Sequence, residues 1–74
     1  MDNISELPLI PEYNNKDYYA GIKSARDYIA EIGLERVIQY FNTKAAYCTK
    51  FSAHSVISYW TGYRSLLISR SKKC

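Results

Sequence analysis

His54 is the single imidazole of the chain, and Ser52 and Ser55 flank it. A hydroxyl near a histidine is the start of a nucleophile–base pair, yet acyl transfer also needs a third group to orient the imidazole. No acidic residue lies near His54 in sequence, so it reads as a partly exposed residue in a helix's first turn. Cys48, His54 and Cys74 lack the paired spacing of a structural zinc site. Three glycines make no phosphate-cradling loop, and no paired carboxylates suggest a pocket for acid–base work. The expectation is a protein without catalytic residues, metal or cofactor. Eight tyrosines raise the idea of stacking on nucleic acid bases. Tyr18, Tyr28, Tyr40 and Tyr63 fall on or beside apolar stripes, however, which favours packing.

Those stripes define the elements. Pro8 and Pro11 bracket Leu9-Ile10 and disfavour helix, so residues 1–15 are expected as an extended arm. Asn14-Asn15 offers an N-cap, with Asp17 in the first turn to complement the helix dipole. Tyr18, Ile22, Ala25, Ile29 and Ile32 then step by four and three, which predicts a helix over 16–32. Gly21 is its weak position by propensity. Gly33 stands where a left-handed C-cap is wanted and where the chain must reverse. Leu34, Val37, Ile38, Phe41, Ala45 and Cys48 line one face of a second helix over 34–51. The two form an αα-hairpin.

Residues 52–69 carry two readings, a third helix over 53–69 or a hairpin. Ser52 or Ser55 caps a third helix in which Val56, Trp60, Tyr63 and Leu67 keep helical spacing. Alternatively, the β-forming run Ser55–Trp60 turns at Thr61-Gly62 into a hairpin. The longer periodicity favours the helix. The fold class is therefore all-α, a single domain over 16–69 followed by a frayed basic tail over 70–74. Its core is assigned to Ile22, Ala25, Ile29, Gly33, Leu34, Ile38 and Phe41.

Seventy-four residues form one domain with a thin core. Two cysteines, one of them terminal, are a poor disulfide framework, so reduced thiols are expected. The N-terminus has no basic stretch before an apolar run, and no segment approaches the roughly 20 apolar residues of a membrane span. A cytoplasmic protein is expected. Extra stability is left to a partner chain, a homodimer above all.

Charge divides the sequence. Residues 1–33 hold six acids against three bases, and residues 34–74 hold seven bases against Glu35 alone. That polarity steers association with an acidic partner. Lys50, Arg64, Arg70, Lys72 and Lys73, with His54 nearby, offer contacts to DNA phosphates in a second reading. Against it, the candidate recognition helix carries Val56, Ile57, Trp60 and Leu67 where base-reading polar groups belong. More large apolar side chains exist than short helices can hide, and such a surplus marks a protein-binding face. Tyr19, Tyr40, Tyr47, Tyr59, Trp60 and Leu66 are its candidate residues.

The order Tyr18-Tyr19, Ala25, Ala30–Phe41 (AEIGLERVIQYF), Ala45-Ala46 and Trp60-x-x-x-Arg64 resembles the small AraC negative regulators of Gram-negative bacteria. The resemblance spans residues 18–67. It implies an anti-activator that binds an AraC-type regulator of virulence genes and blocks its dimerisation or DNA binding. It also implies contact with nucleoid-associated silencers as a further partner class.

Overall fold

The computed structural model describes residues 4–8 and 14–72. Among them are three α-helices and no strand: α1 (Asn15–Ile32), α2 (Leu34–Ala45) and α3 (His54–Ser71). No helix among the described residues is long and apolar enough to cross a membrane.

Asn14 starts α1 as the sequence predicts. Its side-chain oxygen accepts from the backbone N–H groups of Lys16 (3.1 Å) and Asp17 (3.4 Å), so two donors at the open end are satisfied. Gly33 ends α1 and begins α2, with its N–H on the Ile29 carbonyl (3.0 Å) and its carbonyl accepting from Val37 (3.1 Å). Its φ of 93° is positive as anticipated, but ψ is 154°, an extended value rather than the left-handed helical one. That region is nearly closed to residues bearing a Cβ. Gly33 is exposed and acts as a joint, not as a core residue.

α2 stops six residues earlier than its apolar pattern suggests. Tyr47 and Cys48 donate to the carbonyls three residues back, Lys44 and Ala45 (3.1 and 3.0 Å), which tightens the last turn. Side chains then capture the backbone. Thr49 N–H donates to the Ser52 hydroxyl (3.0 Å), and Phe51 N–H donates to the Thr49 hydroxyl (3.2 Å). Such local bonds compete with the helical ladder and end it. Ser52 is thereby used within the turn. Ala53, which has no capping side chain, precedes α3.

Residues 54–71 are one helix, which removes the hairpin reading. The Thr61 hydroxyl donates to the Ile57 carbonyl four residues back (2.6 Å), and Gly62 lies in mid-helix. α3 also runs through Arg70 and Ser71, so the first two residues of the expected frayed tail are helical; Lys73 and Cys74 lie outside the described residues.

The reason for Gly62 is the neighbouring backbone. A Cβ there would stand 2.0 Å from the Tyr18 carbonyl oxygen, and one on Gly21 would stand 1.9 Å from that of Tyr59. α1 and α3 thus cross with main chain against main chain, and two glycines admit the two carbonyls. Ala25 and Ser58 are fully buried along the same seam. The Ser58 hydroxyl accepts from the Asn14 N–H (3.0 Å), tying the entry of α1 to α3.

On the other side of the seam lies the core: Ala25, Val37, Ile38, Phe41, Ala45, Tyr63 and Leu67. Phe41 and Tyr63 stack at 5.8 Å with planes 13° apart. Ile29 and Leu34 are only half-buried against this cluster, Ile22 is half-buried outside it, and Ile32 is exposed. The buried line on α1 is Gly21–Ala25, rotated away from the long aliphatics because only small residues fit the crossing.

Residues 4–8 form neither helix nor strand, and 9–13 lie outside the described residues. The Ser5 N–H donates to the Asn42 side-chain oxygen (2.8 Å), and the Ser5 carbonyl accepts from Arg64 Nε (2.7 Å). Ile4 and Leu7 pack on the core to either side. Arg64, one of the proposed phosphate contacts, is spent on this strap.

Tyr63 is fully buried and its hydroxyl has no hydrogen-bond partner among the described residues. Desolvation pushes its pKa far above the ordinary phenol value, and the neighbouring Tyr59, Tyr40 and Tyr28 add to the rise.

Two outcomes follow from this packing. Gly62→Ala is expected to lower the melting midpoint by more than about 10 °C, since forcing a methyl into a packed seam costs roughly 1–3 kcal/mol or more and each kcal/mol is about 4–8 °C here. Ser65→Ala, on the exposed side of α3, is the control in the same circular-dichroism melts; equal midpoints would refute the close crossing. Tyr63→Phe removes an unpaired buried hydroxyl and is expected to stabilise by about 1 kcal/mol at neutral pH. Because the folded pKa of Tyr63 is raised, its neutral form favours folding fully below about pH 10, and that contribution fades as pH rises further. Urea titrations from pH 8 to 11 should show a shallower alkaline decline for Tyr63→Phe than for the parent.

Candidate protein-binding face

α2 has one side in the core and another facing outward, and the outward side carries rings. Tyr40 projects there, 5.8 Å from Tyr28 of α1 and 6.4 Å from Trp60 of α3 by ring centroids. Lys44 lies over the Tyr40 ring at 5.6 Å, and Lys50 over Phe51 at 5.3 Å. Below Tyr40, the end of α2, the connection and the start of α3 enclose an open groove of about 290 Å³, lined by Lys44, Tyr47, Cys48, Val56 and Trp60. That is near the lower end of ligand pockets, which span about 300–1,000 Å³. It suits one or two bulky side chains of a partner.

Seven large apolar residues are exposed among those described: Tyr19, Tyr28, Ile32, Tyr40, Tyr47, Phe51 and Val56. Tyr47 and Phe51 stand 81% and 87% open to solvent, values that no folding requirement explains. Tyr28 and Ile32 are one turn apart on α1. Apart from Tyr19, the set therefore follows α1's last turns, the outer side of α2, the connection and the first turn of α3.

Three of the six proposed contact residues thus stand exposed, Tyr19, Tyr40 and Tyr47, although Tyr19 lies apart from the others at the start of α1. The structure moves the remaining three inward. Tyr59, Trp60 and Leu66 pack against the core, with Trp60 touching Phe41, Tyr59 and Tyr63 at 5.0–5.9 Å. Only the Trp60 edge reaches the groove. Conversely, Tyr28, expected in packing, is 41% exposed, and Phe51 and Val56 join the exposed set. The missing signal for Val56 was rotational: Ile57, one residue on, takes the buried place.

Electrostatics gives the face its sign. The one ion pair found among the described residues joins Arg26 to Asp27 (3.9 Å), both well exposed. Lys44 and Lys50 rest on rings, and neither forms an ion pair among the described residues; no acidic residue follows Glu35 in the sequence. Burial pushes the Cys48 thiol above its ordinary pKa, against a smaller opposing effect of the Ser52 hydroxyl. A thiol so held is a poor nucleophile at neutral pH.

The residues considered for DNA do not converge. Lys50 lies in the connection, Arg64 holds the arm, and Arg70 and Lys72 are at the far end of α3; Lys73 lies outside the described residues. α3 alone separates His54 from Arg70 by about 24 Å at 1.5 Å per residue. His54 is exposed in the first turn of α3, and no group of three potential metal ligands occurs among the described residues. Comparison with protein-family models, curated proteins and solved structures finds no match to this chain.

Proposed function

We propose that this chain is a small non-catalytic regulator that acts by gripping another protein with the aromatic face of α2 and the α2–α3 connection. The observation that carries this reading is the gathering of Tyr28, Tyr40, Tyr47, Phe51 and Val56 on neighbouring surfaces of so small a domain. Exposed rings are costly to leave in water and are the side chains that dominate interface energies. The resemblance in residues 18–67 supplies the partner class: an AraC-type transcription activator, whose dimerisation or DNA binding the bound chain obstructs. A nucleoid-associated protein is a further partner under the same resemblance. Direct DNA binding is the competing reading, weakened by the scattering of Lys50, Arg70 and Lys72 and by the engagement of Arg64 with Ser5.

The test uses a purified AraC-type activator and a fluorescent operator duplex. The intact chain should release activator from operator. Tyr47→Ala should reduce that release about tenfold, as expected for a central aromatic contact worth more than 1 kcal/mol, while keeping the helical circular-dichroism signal. Salt-steep binding of the isolated chain to random duplex would favour the DNA reading instead.

A further inference from the structure

The seat of the arm holds backbone. Asn42 of α2 accepts from the Ser5 N–H (2.8 Å), and Arg64 Nε of α3 donates to the Ser5 carbonyl (2.7 Å). One residue thus has both of its main-chain polar groups held by side chains from two different helices. Every residue except proline carries that pair of groups, so the clamp does not depend on which side chain stands there. Ile4 and Leu7, three positions apart, are half-buried against the core, whereas Glu6 between them is exposed. Pro8 biases Leu7 away from helix, which leaves these backbone groups available to side chains. Main-chain hydrogen bonds for affinity and apolar anchors for specificity are the division of labour by which proteins bind linear peptides.

We infer that the seat between α2 and α3 is a recognition site for a linear segment of a partner protein, apolar–x–x–apolar in pattern, with residues 4–7 as its built-in competitor. This surface is distinct from the aromatic face, since Asn42 points about 200° away from Tyr40 around α2. The arm is held by two hydrogen bonds and two half-buried side chains, outside any helix or strand. Ordering such a segment costs conformational entropy comparable to what those contacts return, so the seat opens readily. A second copy's arm has no advantage there: the two arms are identical, and the tethered one is present at an effective concentration of about millimolar. What displaces the arm is a segment with stronger apolar anchors, carried by a different protein.

The probe is a fluorescein-labelled peptide of residues 1–10, and the receptor is the full chain carrying Ser5→Pro, which lacks the N–H that Asn42 holds. The substitution lies outside the three helices and should leave the circular-dichroism spectrum unchanged. Anisotropy titration should give a Kd on the order of 100 µM for this variant. The parent, whose arm competes in cis, should bind about tenfold more weakly. Ser5→Ala in the chain keeps the main-chain bonds and should behave as the parent. Within the peptide, Glu6→Lys should be tolerated, while Ser5→Pro or Leu7→Asp should abolish binding. Equal binding to both chains, no binding to the Ser5→Pro chain, or indifference to the peptide substitutions overturns the inference. The Ser5 amide resonance of the parent gives a measurement free of any variant: unlabelled peptide at several millimolar should shift it, and a fixed resonance overturns the site. A parent dimer that dissociates on Ser5→Pro would assign the seat to a second copy and overturn the partner assignment. Tyr47→Ala, added to the Ser5→Pro chain, should leave the titration unchanged, so this site and the aromatic face stand or fall separately.

Discussion

Everything in the molecule is arranged around two carbonyl oxygens that enter the space where glycine side chains would be. Tyr18 offers its carbonyl to Gly62, and Tyr59 offers its own to Gly21. A crossing this close brings the α1 and α3 backbones into direct contact, which gives dense dispersion contact along a seam of Gly21, Ala25, Ser58 and Gly62. Nothing bulky fits in the seam. The large side chains must therefore lie to its sides, and only one side, the one closed by α2, is deep enough to bury Phe41, Tyr63 and Leu67. The exposed aromatic surface is a consequence of the seam: rings excluded from the crossing and surplus to the core collect along the outside of α2.

The arm and the aromatic face show two treatments of the same shortage. On α2, Asn42 and Tyr40 are two residues apart and so point about 200° away from each other. The Asn42 side receives residues 4–8, held through the main chain of Ser5 and capped by Ile4 and Leu7. The chain thus supplies its own cover there. On the Tyr40 side no described segment does so, and Lys44 and Lys50 lie over rings in its place. Cation–π contacts of this exposed kind contribute about 0.5–1 kcal/mol, too little to substitute for burial.

How much of this could be read from residues alone depends on whether the information is local. The start of α1 and the reversal at Gly33 were legible because a cap and a positive φ are properties of a few adjacent residues. The end of α2 was equally local, but the apolar spacing through Cys48 concealed it; the hydroxyls of Thr49 and Ser52 were the signal. Gly21 and Gly62 misled in opposite ways, one as a helix weakness and the other as a turn, because a glycine does not state which backbone approaches it. Tyr59, Trp60 and Leu66 were placed outward for a related reason. α3 has apolar residues all round, facing α1, α2 and the arm in turn, so no polar stripe fixes its rotation. Arg64 looked like one more cation until the Ser5 carbonyl, 59 residues away, came to rest on it.

The distribution of charge has the same tertiary character. Read linearly, the sequence is acidic to residue 33 and basic beyond, which suggests two poles at opposite ends of a molecule. The hairpin at Gly33 changes that, because it folds the acidic helix back along the basic one. What was a difference between halves becomes a mixture, since Glu35, Arg36 and Lys44 line one surface with Tyr40. Gly33, by reversing the chain, is thus the residue that brings the acidic helix and the basic half onto neighbouring surfaces.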